Sequence, residues 1–463
     1  MIHCPLDYVL DPTILRQYDV RGIVGKNLYP HSAYLLAGLL SQTLAFEKKK
    51  VVVGGDGRLS TSGLKSALVA GFCDYGVDVI ELDGVVATPE LYHANYFLNM
   101  PLAVQVTGSH NPKEYNGFKI VKEQKPFWGR DISNFQQKTL PAMADKKGVL
   151  EKKNLREEYV KDLLRDITLP DNLSIAWDPG HGALCLALEK LLPKLLGKHY
   201  VINRTVDGNF PSHHPDPTVE KNLLPLKELV KKNKCDAGIA FDGDGDRIGV
   251  VDEDGEVLWG DQLLIFYSGL LLEKNSNATI IADVKASQLF FDEVKKLGGQ
   301  AVMAPTGHSI IKSEMKKQNA LLAGEMSGHI FFADRWPGFD DALYAALRLL
   351  EILAFKNTSL KKLRLALPKM INTPEIRLEV KEEDKMPIMT RLKKLLAEAN
   401  IGFDDLDGIR VRDEKGWWLI RASNTQNCLV ARAESDSQMH LKQILKKMND
   451  FLSLAGAPEL PKD

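Results

Sequence analysis

The sequence predicts an α/β protein: three related mixed α/β/α domains, followed by a smaller C-terminal α+β domain. Three observations predict it. Apolar strand-like runs recur along the first part of the chain, and each leads through a polar turn into a helical stretch. Each unit later holds a second apolar strand that ends in a polar, glycine-bearing loop. Beyond Pro368 the texture changes, and Ile376, Leu378 and Val380 alternate with charged residues.

In chain order, Val51-Val52-Val53 runs into Gly54-Gly55-Asp56-Gly57-Arg58 and opens the first unit. Ile175-Ala176-Trp177 before Asp178-Pro179-Gly180-His181-Gly182 opens the second, and Ile280-Ile281-Ala282 before Asp283-Val284-Lys285-Ala286-Ser287 opens the third. The loops after the second strands are Thr107-Gly108-Ser109-His110-Asn111-Pro112, Asp242–Arg247 and Gly324-Glu325-Met326-Ser327-Gly328-His329. Ligands of such sheets gather beyond the carboxyl ends of the strands, so these loops are expected to meet in one cleft. The charged segment Lys146–Lys153 precedes an amphipathic helix with Leu155, Tyr159, Leu163 and Ile167 on one face, which sets a break near 155. Further breaks near Gly255–Gly260 and Pro368 give domains 1–155, 156–256, 257–369 and 370–463. In the last of these, strands are expected at Trp417–Ile420 and Leu429–Ala433, with a helix from about Gln438.

Composition narrows the function classes. Of 463 residues, 44% are hydrophobic and 26% charged, the balance of a globular protein with substantial cores. Lys plus Arg number 60 against 61 Asp plus Glu, a net charge of −1, so no global field favours nucleic acid or an acidic membrane. The five cysteines (Cys4, Cys73, Cys185, Cys235, Cys428) lack paired metal spacing and are expected to be reduced, mostly buried thiols of a cytoplasmic protein. No basic-then-apolar leader stands at the N-terminus, and the longest apolar run, near Leu263–Leu272, is too short for a bilayer. No extended heptad pattern calls for an obligate assembly, so a monomer is expected.

The most informative segment is Asp242-Gly243-Asp244-Gly245-Asp246-Arg247 after the apolar run Ala237–Phe241. Like charges about 4 Å apart cost roughly 4 kcal/mol per pair at an effective dielectric of about 20. Three carboxylates separated only by glycine therefore converge only around something positive. Oxygen donors alone suit Mg²⁺ better than Zn²⁺. A calcium loop fits worse, because an EF-hand needs glycine where Arg247 stands. Ile248-Gly249-Val250-Val251 resumes an apolar strand, so the loop is a strand-to-strand turn.

Ser109 can be a nucleophile if charge stabilisation is nearby, and Lys119, in Asn116-Gly117-Phe118-Lys119, stands a short way downstream. A phosphorylated serine carries about −1.5 to −2 charges, which a metal held by three aspartates would offset. In the fourth unit, Arg421-Ala422-Ser423-Asn424-Thr425 offers a guanidinium, two hydroxyls, an amide and turn N–H groups, which fits either a compact phosphate cradle or an ordinary hairpin turn with a solvated arginine. Glu325 and Ser327 could hydrogen-bond vicinal sugar hydroxyls. His308 and His329 are candidate acid–base groups or structural histidines.

Taken together, Thr107–Pro112, Asp242–Arg247, Gly324–His329 and Arg421–Thr425, in this order and spacing, resemble the α-D-phosphohexomutase superfamily, over nearly the whole chain. Within it the chain looks most similar to the bacterial phosphomannomutase/phosphoglucomutase group. The resemblance implies four domains around one deep cleft, and a reversible exchange of hexose 1-phosphate and hexose 6-phosphate, mannose and/or glucose. It makes Ser109 a phosphoserine, binds Mg²⁺ at Ser109, Asp242, Asp244 and Asp246, and uses a hexose 1,6-bisphosphate as intermediate and activator. Arg21, in Tyr18-Asp19-Val20-Arg21-Gly22, would surround the transferring phosphoryl group with Lys119 and Arg247. His308 and His329 resemble the proton-transfer candidates. Tyr18, Lys285, Glu325 and Ser327 would meet the substrate, and Arg421, Ser423, Asn424 and Thr425 would grip the phosphate that is not transferred. Two departures stand out: Gln426-Asn427 is expected to loosen the phosphate loop, and Gly55 replaces a larger side chain, expected to be neutral.

Two competing readings differ in kind. Asp242-x-Asp244 after a strand also resembles aspartyl-nucleophile phosphatases, which would release inorganic phosphate, but these expect Thr or Val at position 246. A silent sugar-phosphate binding protein would bind without turnover.

Overall fold

In a computed structural model of the protein, which describes residues 9–45, 48–423 and 427–461, the apolar runs become the central strands of four separate sheets. The first three sheets share one plan. In the first, Lys50–Gly55 lies parallel to both Asp78–Leu82 and Leu102–Val106, and Leu102–Val106 turns back into the antiparallel Tyr115–Lys122. The second repeats this with Ser174–Asp178 between Lys198–Val201 and Ala237–Phe241, the last pairing antiparallel with Ile248–Asp252. The third does so with Thr279–Asp283, Gln300–Ala304, Leu322–Gly324 and Ile330–Phe332. The hairpin in each sheet encloses one of the loops singled out in the sequence.

Burial explains the plan. Val51, Val52, Val53, Ile175, Ala176, Trp177, Ile280, Ile281 and Ala282 are fully buried, as strands covered on both faces by helices must be. Helices Thr61–Asp74, Cys185–Leu191 and Gln288–Lys296 follow the three opening strands. Ser287 caps the last of these, its hydroxyl accepting from Leu289 N at 3.1 Å. The fourth sheet is antiparallel, with Cys428–Ser435 between Gly416–Ala422 and the strands Ile371–Asn372 and Ile376–Glu379, and it is backed by helices Glu382–Glu398 and Gln438–Leu454. Its core is its own, but Trp417 and Leu419 pack on Val284 of the third unit.

Two details differ from the sequence reading. The charged stretch before residue 155 contains a strand, Leu150–Lys153, that extends the first sheet beside Asp78–Leu82, because strand pairing at a sheet edge needs no apolar side chains. Gly55 is not a neutral position. A Cβ there would come within 2.6 Å of Thr61 Cγ2, so a larger residue requires Thr61 to move. Cys185, Cys235 and Cys428 are buried and form no disulfide among the described residues, and Cys73 is half-buried. No helix among the described residues is long and apolar enough to cross a membrane.

Candidate active site

Ser109 sits at φ 49°, a left-handed conformation that a non-glycine residue holds only when its surroundings enforce it. The enforcing contacts come from the loop after the first opening strand. The buried Arg58 guanidinium donates to the carbonyls of Ser109, Asn111 and Pro112, each at 2.6 Å, and of Tyr115 at 3.0 Å. Asp56 accepts from Thr107 Oγ1 at 2.7 Å, and that hydroxyl in turn accepts Ser109 N at 2.8 Å. The serine hydroxyl thereby faces the second unit, where it donates to Asp242 Oδ2 at 3.1 Å.

Asp242 is fixed from the other side. Its Oδ1 accepts the backbone N–H groups of Gly245, Asp246 and Arg247 at 2.9, 3.1 and 3.2 Å, which curls the acidic loop around it. Gly243 is required here: a Cβ would lie 2.5 Å from the Ser109 carbonyl oxygen. Lys119 donates to Asp244 Oδ2 at 2.7 Å and to Asp246 Oδ2, and the Thr88 hydroxyl also donates to Asp244 Oδ2. Lys119 thus stands on the carboxylates themselves.

All three aspartates are fully buried. Burial and the neighbouring Asp244 and Asp246 charges push the Asp242 carboxyl well above the usual range. Burial pushes Asp244 upward too, but the Lys119 ammonium outweighs it and holds this carboxyl low. Burial likewise works against the Lys119 charge, and Asp244 and Asp246 outweigh it. Among the described residues, Asp244 Oδ1 and Asp246 Oδ1 are buried with no hydrogen-bond partner, although an unsatisfied buried charge is strongly unfavourable. Their positions, together with Asp242, place oxygen donors within 4.8 Å of one another. Such an all-oxygen, electron-rich set suits a hard divalent cation.

The proton-transfer candidates converge on the same cluster. Arg247 Nε donates to His329 Nε2 at 2.9 Å, while His329 Nδ1 lies 2.9 Å from Asp340 Oδ2 and 3.7 Å from Asp246 Oδ1. The His308 ring stacks on His329 with centroids 5.6 Å apart, and burial followed by the Lys312 charge pushes its imidazole well below its ordinary value. His110 Nδ1 lies 3.3 Å from Ser109 Oγ, and its imidazole is likewise pushed down by burial and then by Arg247. Arg21 donates to Asn111 Oδ1 at 3.0 Å and pairs with Asp19. Tyr18 reaches across to the third unit, donating to the Thr306 carbonyl at 3.0 Å.

The residues expected to meet the sugar form a second group, tied to the fourth unit. Glu325 accepts from Ser327 Oγ at 3.1 Å through Oε2, while its Oε1 is buried and unpartnered. Lys285 donates to Glu375 at 2.9 Å, and this ammonium draws the Glu375 carboxyl down to about 2. Arg421 is held by Asp407, with Nη2 to Oδ2 at 3.0 Å, and Asp407 also accepts Thr306 N at 3.0 Å. Lys385 donates to the Ser423 carbonyl at 2.7 Å. Asn424 and Thr425, with Gln426 beside them, lie outside the described residues. The charged groups form a continuous field, since Glu325 acts on both Arg247 and Lys285, and Arg421 acts on Lys285.

Four residues of this cluster carried no role in the sequence reading. Asp56 and Arg58 stand in the polar turn after the first opening strand, where nothing local marks them as more than turn residues. Asp340 and Asp407 are hubs whose importance rests on contacts between distant segments, and Asp340-Asp341 before an apolar run signals only a helix cap. Asp341 is that cap, accepting Tyr344 N at 2.9 Å.

A seryl oxygen, a carboxylate nest for a divalent ion, three cationic side chains and a histidine are the equipment of metal-assisted phosphoryl transfer. Comparison with known proteins bears on which. Models of phosphoglucomutase/phosphomannomutase alpha/beta/alpha domains I, II and III match residues 12–136, 157–255 and 259–370, and the C-terminal domain model matches 375–451. A phosphomannomutase/phosphoglucomutase of Pseudomonas putida is 41% identical over 442 residues, covering 94% of each chain. A phosphoglucomutase of Neisseria meningitidis serogroup A is 40% identical over 438 residues, covering 93% of this chain and 95% of that one. The crystal structure of a phosphoglucomutase/phosphomannomutase family protein from Burkholderia thailandensis, 35% identical, superposes with a TM-score of 0.90 over 98% of this chain and all of that one. With all four domains matched in order and the site assembled where their hairpin loops meet, this chain belongs to the phosphoglucomutase/phosphomannomutase family of the α-D-phosphohexomutase superfamily, and is a hexose phosphate mutase, an isomerase.

Proposed function

We propose that the protein interconverts the 1- and 6-phosphates of a hexose, glucose and/or mannose, through a phosphoserine at Ser109 and a hexose 1,6-bisphosphate intermediate. The observation that carries this reading is the strained, buried Ser109 hydroxyl aimed at a carboxylate nest in the next domain, 3.1 Å from Asp242. Asp242, Asp244, Asp246 and Ser109 would hold Mg²⁺, which when bound supplies positive charge to offset that of the phosphoryl group.

The chain's own residues divide the remaining work. The phosphoserine P–O bond breaks as a bond forms to O6 of a hexose 1-phosphate. His329 takes the hydroxyl proton at Nε2, the atom that now accepts from Arg247. Arg247 is thereby released toward the phosphoryl oxygens, and Arg21 and Lys119 supply the other positive charges. Asp340 and His308 hold the His329 ring in place. Lys119, bound to two carboxylates, is a charge donor rather than a base, which leaves the proton to histidine.

In the second half the bisphosphate presents its other end; Ser109 Oγ, left anionic by the first transfer, attacks the phosphorus on O1, the O1–P bond breaks, and O1 takes back the proton held on His329. Tyr18, Lys285, Glu325 and Ser327 hold the sugar. Arg421, Ser423, Asn424 and Thr425 grip the phosphate not in transfer. The four domains, 1–155, 156–256, 257–369 and 370–463, each contribute one loop, and the fourth loosens and regrips as the sugar turns.

Replacing Ser109 with Ala tests this. The variant is expected to fold, to carry no phosphate by intact mass, and to lose at least about a thousandfold in kcat. Retained turnover, or phosphate mapped to another residue, removes Ser109 from the role.

A further inference from the structure

A second concavity lies outside the cluster described above. It is a cavity of about 350 Å³ between the first and third domains, a volume within the range that holds small ligands. One wall is the helix Thr88–Phe97, which contributes Tyr92 and Tyr96; the other is the helix His308–Gln318 with Phe339 beyond it. The lining includes the aromatic faces of Tyr92, Tyr96 and Phe339, two lysines, and no aspartate or glutamate.

The lysines are Lys312 and Lys316, one turn apart on the same helix and therefore on the same face. The Lys312 ammonium is committed: it donates to Asp340 Oδ1 at 2.9 Å and lies 4.4 Å from the centre of the Tyr92 ring. Lys316 is not neutralised. It spans the two domains to donate to the Gln124 carbonyl at 2.6 Å, and among the described residues it has no carboxylate partner. Its positive neighbour Lys125, together with burial, pushes this ammonium downward, a direction that a bound anion would reverse.

An aromatic-walled cavity with an unmatched cation at its rim is complementary to a small molecule with a flat apolar body and one negative group. We infer that this interdomain cavity binds a small aromatic anion, seated against the wall formed by Tyr96 and the edge-to-face pair Tyr92–Phe339, with its charge at Lys316, where it joins the first domain to the third. The inference does not rest on the phosphoserine reading, since none of these residues belongs to the transfer chemistry.

Titration of the full-length protein with 8-anilinonaphthalene-1-sulfonate, followed by fluorescence, tests the assignment. One saturable site per chain is expected, undisturbed by saturating glucose 1-phosphate. Lys316→Glu should weaken binding at least tenfold and Ala333→Trp, which fills the cavity, should abolish it, both with mutase activity retained. Displacement of the probe by glucose 1-phosphate would place it in the catalytic cleft and overturn the inference. So would unchanged affinity in Lys316→Glu, or equal affinity for the uncharged N-phenyl-1-naphthylamine. Should Ala333→Trp fail to fold, Lys316→Glu and the uncharged probe decide the matter without it.

Discussion

Arg58 shows how much of the site depends on a side chain that never meets the substrate. Four carbonyl oxygens of the serine loop converge on one buried guanidinium, and lysine cannot match that fork. Arg58→Lys is expected to lower stability by about 2–4 kcal/mol in denaturant unfolding, because it leaves buried acceptors unpaired. Its effect on kcat should exceed that on KM, since the serine loses its strained orientation; steady-state kinetics checks the split. Asp340 is the matching case on the other side of the cluster. Its carboxylate is shared between His329 and Lys312, so Asp340→Asn keeps the shape and removes the charge that orients the ring. A loss of about 10²-fold in kcat is expected, with little further loss when His329→Ala is added to it. Additive losses would assign Asp340 a purely structural part.

At the scale of elements, the three hairpins bring different chemistry to one place: a hydroxyl from the first, carboxylates from the second, and Glu325, Ser327 and His329 from the third. The seam between the first two is tight enough to exclude a methyl group. Gly243→Ala, whose Cβ would meet the Ser109 carbonyl at 2.5 Å, should separate the acidic loop from the serine. Activity is expected to fall at least about a hundredfold, a penalty of the size that about 1 Å of misplacement brings. The melting temperature should shift far less, and normal activity would show that the seam yields. The repeat, the hairpin loops and the carboxylate cluster were legible in the chain because each is local: alternation, glycine spacing and like charges at i, i+2 and i+4 need no knowledge of what lies across the cleft. Arg58, Asp340 and Asp407 were not legible, because each acts through segments far away in sequence. Gly55 failed for a related reason, since its crowding comes from Thr61 on the following helix, which no alternation pattern reveals.

At the scale of the molecule, the fourth domain is attached through polar contacts to the backbone around Lys285. Arg410 donates to the Val284 carbonyl at 2.8 Å and Arg432 to the Lys285 carbonyl at 2.7 Å. Glu434 accepts from Ser287 Oγ and Trp417 Nε1, both at 2.8 Å. Lys285–Glu375 is a pair whose contribution depends on pH. The Glu375 carboxyl is lowered from 4.5 to about 2, so its stabilising contribution is complete above its unfolded value and is lost as pH falls toward 2. Glu375→Gln should therefore melt below the wild type at pH 7, with the gap narrowing as the pH drops beneath about 4.5. A gap that stays constant with pH would show that the pair contributes packing and not charge.

The contact of the Ser109 hydroxyl with a carboxylate of the neighbouring domain has one more consequence. The phosphoserine proposed for that junction would be safe from water only while the two domains stay pressed together. Thr88, through its N–H to the Asp244 carbonyl at 2.9 Å and its hydroxyl to the Asp244 carboxylate, is one of the clasps. Were the clasp to slip, the stored group would be lost by hydrolysis, and the same residues would leak as a slow phosphatase. Fidelity to isomerisation is in this sense a mechanical property of the junction.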